Sequence, residues 1–263
     1  MFVTATLSLV LLHAPAPHPA LDSAFGPLVA PTIAPTAAGQ DGDTAKERES
    51  GHRYPISTRA VIRTADKDDK DATPTKMDLL GLAIREKTIF AVNVYSYVLY
   101  VDQKYIADEL GGWKGKTPKA AGKDSALFRK LLTPGPTKEI RLRFCRNVDA
   151  DDVVSAFEDS IEPRLLARRK AMEGSKADKL KDLTEFRSFF SLDKLKKGNE
   201  LRFIWHPDGT LSTIVNGQRQ PDVFSPDLCW ALFDVYMGVS PISKAGKKKL
   251  VRRLPWILDN QKN

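Results

Sequence analysis

One arginine in this chain has both the chemistry and the setting for a site. Arg85 lies in Lys76 to Asp102, a run that is otherwise almost all strand-like. Ile89, Val92, Val94, Tyr95, Tyr97, Val98, Leu99 and Tyr100 give that run its β-branched and aromatic density. An arginine on an apolar strand must find an anion or several acceptors, because a buried, unpaired charge is strongly unfavourable. Its guanidinium is a planar fork that matches a carboxylate with two parallel, charge-assisted hydrogen bonds. Tyr95, in the next strand, can add a phenolic donor to the same head group. The competing reading pairs Arg85 with Glu86 or Asp102 in an internal ion pair, and makes Tyr95 an aromatic core residue. Tyr97 and Tyr100 are either packing residues or contacts at the rim of the same ligand site.

Other chemistries lack their residues. The histidines are His13, His18, His52 and His206, too few for a histidine-rich metal site, and neither of the last two is near a G-x-S-x-G turn. There is no phosphate loop and no dinucleotide glycine fingerprint, so no cofactor and no metal are expected. Cys145 and Cys229 each fall in an apolar segment without metal-type spacing, and read as buried thiols with a disulfide as the alternative. The net charge of +8 is concentrated beyond residue 52. A basic body favours anionic partners: a fatty carboxylate, an anionic membrane surface, or nucleic acid, for which no recognisable motif is present. Lys244, Lys247, Lys248, Lys249, Arg252 and Arg253 make the last helix basic, either as a solvated face or as a contact for anionic lipid.

The elements that must position Arg85 follow from periodicity. Ile140, Leu142 and Phe144 alternate with Arg141, Arg143 and Cys145, predicting a strand with one buried face. Leu201, Phe203 and Trp205 repeat the alternation. His206-Pro207-Asp208-Gly209 then turns the chain into a strand over 211–215, predicting an antiparallel hairpin. Asp149 is placed to cap a helix carrying Val153, Phe157, Ile161 and Leu165, which Pro163 should kink or end. Further helices are predicted over 178–192, from Ser225-Pro226-Asp227 through Tyr236, and over 244–254. Strands and helices in blocks, without βαβ alternation, predict an α+β fold: an antiparallel sheet backed by helices on one face.

The N-terminal region differs in kind. Phe2 to Leu12 is an uncharged apolar run, too short to span a bilayer and suited to the core of a signal peptide. Residues 1–20 are therefore expected to be a signal peptide, 21–52 a proline- and alanine-rich flexible linker, and 53–258 the folded domain. Asp66 to Lys76 is expected to be a solvated loop. An exported protein of the periplasm, cell envelope or extracellular space is the corresponding expectation.

Gly81-Leu-Ala-Ile-Arg85, followed by Val94-Tyr95-Ser-Tyr-Val-Leu-Tyr100, resembles the signature of the chalcone-isomerase-like family. The strand at 141–146, the helix from Asp149, the hairpin over 200–216 and the helix ending at Gly238 fit in the expected order. The resemblance covers residues 54–254 and suggests an exported member of bacterial type. It implies an open-faced β-sandwich with a cleft between sheet and helices for an apolar guest with a polar head. It also implies one of two activities: cofactor-free ring closure of a chalcone, an intramolecular lyase or isomerase reaction, or non-catalytic fatty-acid binding. Arg85 matches the family's site arginine. Tyr95 falls where the enzymes carry a catalytic threonine and the fatty-acid binders a tyrosine, so Arg85 and Tyr95 would be catalytic only in an isomerase. The enzymes' tyrosine at the start of the helix after the central strand has no counterpart in Asn147 to Asp152, and Val235 stands where they carry a hydroxyl. These departures favour binding of a fatty acid or similar amphipathic carboxylate over ring closure. An envelope interaction module with a vestigial cleft is the third reading.

Overall fold

The computed structural model describes residues 43–61, 74–87, 92–191 and 194–260. The predicted signal peptide, most of the predicted linker and most of the Asp66–Lys76 loop lie outside these residues.

Two short strands, β1 (Thr44–Lys46) and β2 (Arg53–Pro55), pair into a ribbon, followed by β3 (Ser57–Val61), β4 (Pro74–Lys87) and β5 (Val92–Asp102). A helical excursion comes next: α1 (Gln103–Glu109), one turn at Gly111–Trp113, α2 (Pro118–Ala121) and α3 (Ser125–Leu131). The strands β6 (Lys138–Phe144) and β7 (Val148–Asp149) lead into α4 (Ala150–Arg168), α5 (Lys176–Lys179) and α6 (Lys181–Ser188). After β8 (Lys194–Leu195), β9 (Glu200–Trp205), β10 (Thr210–Val215), β11 (Gln218–Arg219) and β12 (Val223–Phe224), the chain ends in α7 (Pro226–Met237), α8 (Lys244–Lys249) and α9 (Leu254–Asn260).

Among the described residues the main sheet runs β11-β10-β9-β6-β5-β4-β3, with β12 also on β10 and every pair antiparallel. The curled sheet carries its helices on one face, the arrangement expected from the block pattern. The predicted hairpin is β9–β10, with Leu211 opposite Trp205. Ser225 caps α7 as its sequence signals, its hydroxyl accepting from the Leu228 amide at 3.1 Å.

The helix face of the sheet buries Tyr97, Leu99, Leu142, Phe203 and Trp205 against Phe157 and Ile161 of α4 and Leu228 and Leu232 of α7. The opposite face is also covered, which the alternation in β6 did not predict. Tyr54 of β2 packs there with Met77, Leu79, Val98 and Tyr100. Arg141 of β6 is not solvated: it is buried, and its Nε donates to the buried Glu139 carboxylate at 2.8 Å, which also accepts from Arg202 at 2.7 Å, while the half-buried Arg143 pairs with Glu200 at 2.8 Å. Alternating charge thus marks a second interior built from ion pairs rather than a face in water.

Other expectations are corrected in detail. Ordered structure begins before residue 53, because Thr44–Lys46 pairs with Arg53–Pro55 and Glu47 closes the intervening turn by accepting from the Ser50 amide at 2.7 Å. At the other end α9 runs to Asn260. Helix α4 continues through Pro163 to Arg168, and Asp149 sits at its start without a capping hydrogen bond, near Lys194 at 3.6 Å instead. The stretch 178–192 begins earlier and divides into α5 and α6, while 244–254 divides into α8 and the start of α9. Cys145 is half-buried, Cys229 is buried, and both are free thiols.

Candidate functional site

The spacing from Gly81 to Arg85 has a steric cause. Gly81, Ala83 and Arg85 follow one another at every second residue of β4, on the face that meets the helices. A Cβ at Gly81 would collide with the backbone carbonyls of Lys249 and Leu250, where α8 ends against the strand. Ala83 is buried in the same core. Arg85 is the first long side chain on this row, at the point where the helices leave room.

That room is a cavity of about 610 Å³ between β4–β5, the first half of α4 and the end of α7. Its inner wall is formed by the buried Val153, Phe157, Val235 and Tyr236, with Arg85 and Tyr95 half-buried beside them. Its rim is exposed and carries both signs of charge, from Arg146 and Lys194 to Asp152 and Asp159. Its size falls in the range of small-molecule sites.

Arg85 and Tyr95 are directly paired across β4 and β5. One guanidinium nitrogen of Arg85, Nη1, donates to the Ile242 carbonyl at 3.0 Å. Among the described residues no carboxylate comes within ion-pair distance of it, neither Glu86 nor Asp102. Among the described residues, four of its five donors are therefore uncommitted to protein acceptors. Tyr95 stacks edge-on against Tyr97 at 6.0 Å and Phe144 at 5.8 Å. Burial pushes its hydroxyl up in pKa, while Tyr236 and the positive charge of Arg85 act in the opposite sense.

Tyr236 was not singled out from the sequence. It is 1% exposed, lines the cavity from α7, and its buried hydroxyl has no hydrogen-bond partner of normal geometry. Burial pushes its pKa well up, as does the neighbouring Tyr95 hydroxyl, close enough to influence its proton. The readable signal was its place in the apolar stripe of α7, eight residues after Leu228 and four after Leu232.

The other two predicted site tyrosines lie elsewhere. Tyr97 shares the helix face of β5 with Tyr95 but is fully buried behind the cavity, its ring 5.1 Å from Tyr236 and its hydroxyl near Ser243. Tyr100, an odd number of positions from Tyr95, points to the far face. Its hydroxyl donates there to the Pro55 carbonyl at 2.9 Å, and Arg141 lies 5.0 Å over its ring.

An apolar hollow with a cation and two phenols on its inner wall, enclosed by a curled antiparallel sheet and two helices, places the protein among open-faced β-sandwich domains with an internal cavity. A family model described as chalcone isomerase like matches residues 75–251, and the chain belongs to that family. Over 173 residues it is 29% identical to fatty-acid-binding protein 2 of Arabidopsis thaliana, a match that takes in 65% of this chain and 42% of that one. Over 176 residues it is 26% identical to fatty-acid-binding protein 1 of the same plant, 65% of this chain and 61% of the relative. The chain thus spans less than two thirds of the length of these curated relatives. The crystal structure of an Arabidopsis thaliana fatty-acid-binding protein matches the fold with a TM-score of 0.61 at 21% identity, over 82% of this chain and 99% of that one.

Proposed function

We propose that this domain is a non-catalytic binder of a fatty acid or similar amphipathic carboxylate. The acyl chain lies against Val153, Phe157 and Val235, and the head group is held by Arg85 with the hydroxyls of Tyr95 and Tyr236. The observation that carries this reading is the Arg85 guanidinium, set in an apolar cavity wall with, among the described residues, one carbonyl as its protein acceptor. A carboxylate supplies the missing charge and two acceptors in the geometry that the fork prefers. The fatty-acid-binding names of the relatives support the same class of guest.

Ring closure of a chalcone needs a phenolate and an enone held at near-attack distance by several fixed polar groups. In this cavity Val235 is apolar, and the start of α4 presents Asp152 rather than a tyrosine, so binding is favoured over isomerisation. The apolar run at residues 2–12 supports export to the cell envelope or beyond. The basic body of the domain supports an anionic membrane surface as the place where guest is exchanged.

The test is native mass spectrometry of the full chain as purified. Wild type is expected to carry a carboxylic acid that is released on denaturation, and Arg85→Met to be folded and empty. Equal loading of the two proteins, or turnover of a chalcone that Arg85→Met abolishes, contradicts the reading.

A further inference from the structure

Two stretches of the chain are rich in lysine and arginine and contain no acid at all. One is Lys114 to Lys123 (KGKTPKAAGK), the other Lys244 to Arg253 (KAGKKKLVRR). They are far apart in sequence, and the fold brings them together. Gly122, at the end of α2, lies so close to the α8 backbone that a Cβ there would collide with the Lys248 carbonyl. Helix α9 packs against both α2 and the turn at Gly111–Trp113.

Four of the ten cations are used within the protein. Lys247 donates to the Gly238 carbonyl at 2.7 Å, Arg253 to the Leu79 carbonyl at 3.0 Å, Lys249 pairs with Glu49 at 3.0 Å, and Lys116 with Asp124 at 3.3 Å. The other six, Lys114, Lys119, Lys123, Lys244, Lys248 and Arg252, are exposed. On α9 stands Trp256, 55% exposed, with Arg253 lying 5.4 Å over its ring, and Asp259 of the same helix accepts from the Gly115 amide of the first stretch at 3.0 Å.

We infer that this composite face, six exposed cations and an exposed indole, is the surface by which the protein docks on a bilayer containing anionic lipid. A cluster of four or more lysines and arginines is attracted to such a surface, and tryptophan is favoured at the level of the head groups. The indole is what selects a membrane over nucleic acid, since the cations alone would suit either polyanion. Helix α8 begins two residues after Ile242, which lines the cavity and whose carbonyl accepts from Arg85. A docked α8 would therefore hold the guest cavity next to the lipid. The inference gives the proposed binder its partner surface and rests on that reading for its purpose, but it uses none of the residues that hold the guest.

The experiment is co-sedimentation of the full chain with vesicles of phosphatidylcholine alone, and with vesicles in which about a third of the lipid is phosphatidylglycerol. Binding is expected to the anionic vesicles only, falling steeply as salt rises from about 0.05 M to about 0.5 M. Each of these lysines should contribute about five-fold, so Lys119→Gln/Lys123→Gln/Lys248→Gln should weaken binding about a hundred-fold. Trp256→Ala should weaken it several-fold. The triple variant should still bind fatty acid, and Arg85→Met should still bind vesicles, so failure of one reading is separable from failure of the other. Equal adsorption to both vesicle types, wild-type binding by the triple variant, or retention on DNA without retention on anionic vesicles would each overturn the inference.

Discussion

Tyr236 is the residue at which stability and binding are expected to oppose each other. A buried hydroxyl without a partner costs roughly 1–3 kcal/mol, whereas a hydrogen bond made to a guest returns about 0.5–1.5 kcal/mol. Tyr236→Phe should therefore raise the stability of the empty protein by about 1 kcal/mol in urea denaturation while weakening fatty-acid affinity about three- to ten-fold. A variant that loses stability and keeps its affinity would show that the hydroxyl has a structural partner after all. Arg85 was legible from the sequence because a cation in an apolar strand demands an explanation. Tyr95 was legible through the family motif. Tyr236 was not, because the family pattern points to Val235, the position that corresponds to a hydroxyl in the enzymes. A helix turns about 100° per residue, so its next position can present a hydroxyl to the same cavity from the edge of one stripe.

At the scale of elements, β6 shows where alternation misleads. Its apolar residues Ile140, Leu142 and Phe144 face the core as their alternation predicts, but Glu139, Arg141 and Arg143 look like a solvent face when only the strand itself is considered. The cover comes from Tyr54 and from Arg202 on β9, which lie far away in sequence, and one strand's pattern carries no information about them. The consequence is a pH-dependent element. Burial alone would raise the pKa of Glu139, but the charges and hydrogen bonds of Arg141 and Arg202 hold it down at about 2, below its ordinary 4.5. A depressed carboxylate contributes stability that is fully present above the unfolded pKa and is lost as pH falls through the folded one. The wild type should accordingly lose stability between pH 4.5 and about 2. Glu139→Gln should be less stable by about 3 kcal/mol at neutral pH, since it leaves the buried Arg141 with only the longer contact to Glu200 at 3.9 Å and takes the carboxylate from the half-buried Arg202. Its stability should also fall less over the acid range. Parallel acid-unfolding curves for the two proteins would contradict this account. By contrast, the β9–β10 hairpin and the start of α7 were fully legible, because their turn and capping residues act locally.

At the scale of the whole molecule, the block order of strands and helices gave the α+β class, and the motif order gave the family. The ordered N-terminal ribbon was hidden by its composition, which is that of a linker until Tyr54 and Glu47 are seen packed. Among the described residues, the assembly encloses a cavity in which Arg85 and Tyr236 have few protein partners, the feature on which the proposed binding of a carboxylate rests. The most direct test of that claim is a calorimetric comparison of palmitate with its methyl ester, which has the same chain and no charge, in wild type and Arg85→Met. Removing one partner of a buried charge pair costs about 2–5 kcal/mol. Wild type should therefore prefer the acid by about thirty-fold or more, and Arg85→Met should bind acid and ester about equally. An undiminished preference for the acid in Arg85→Met would place the head group elsewhere and contradict the account.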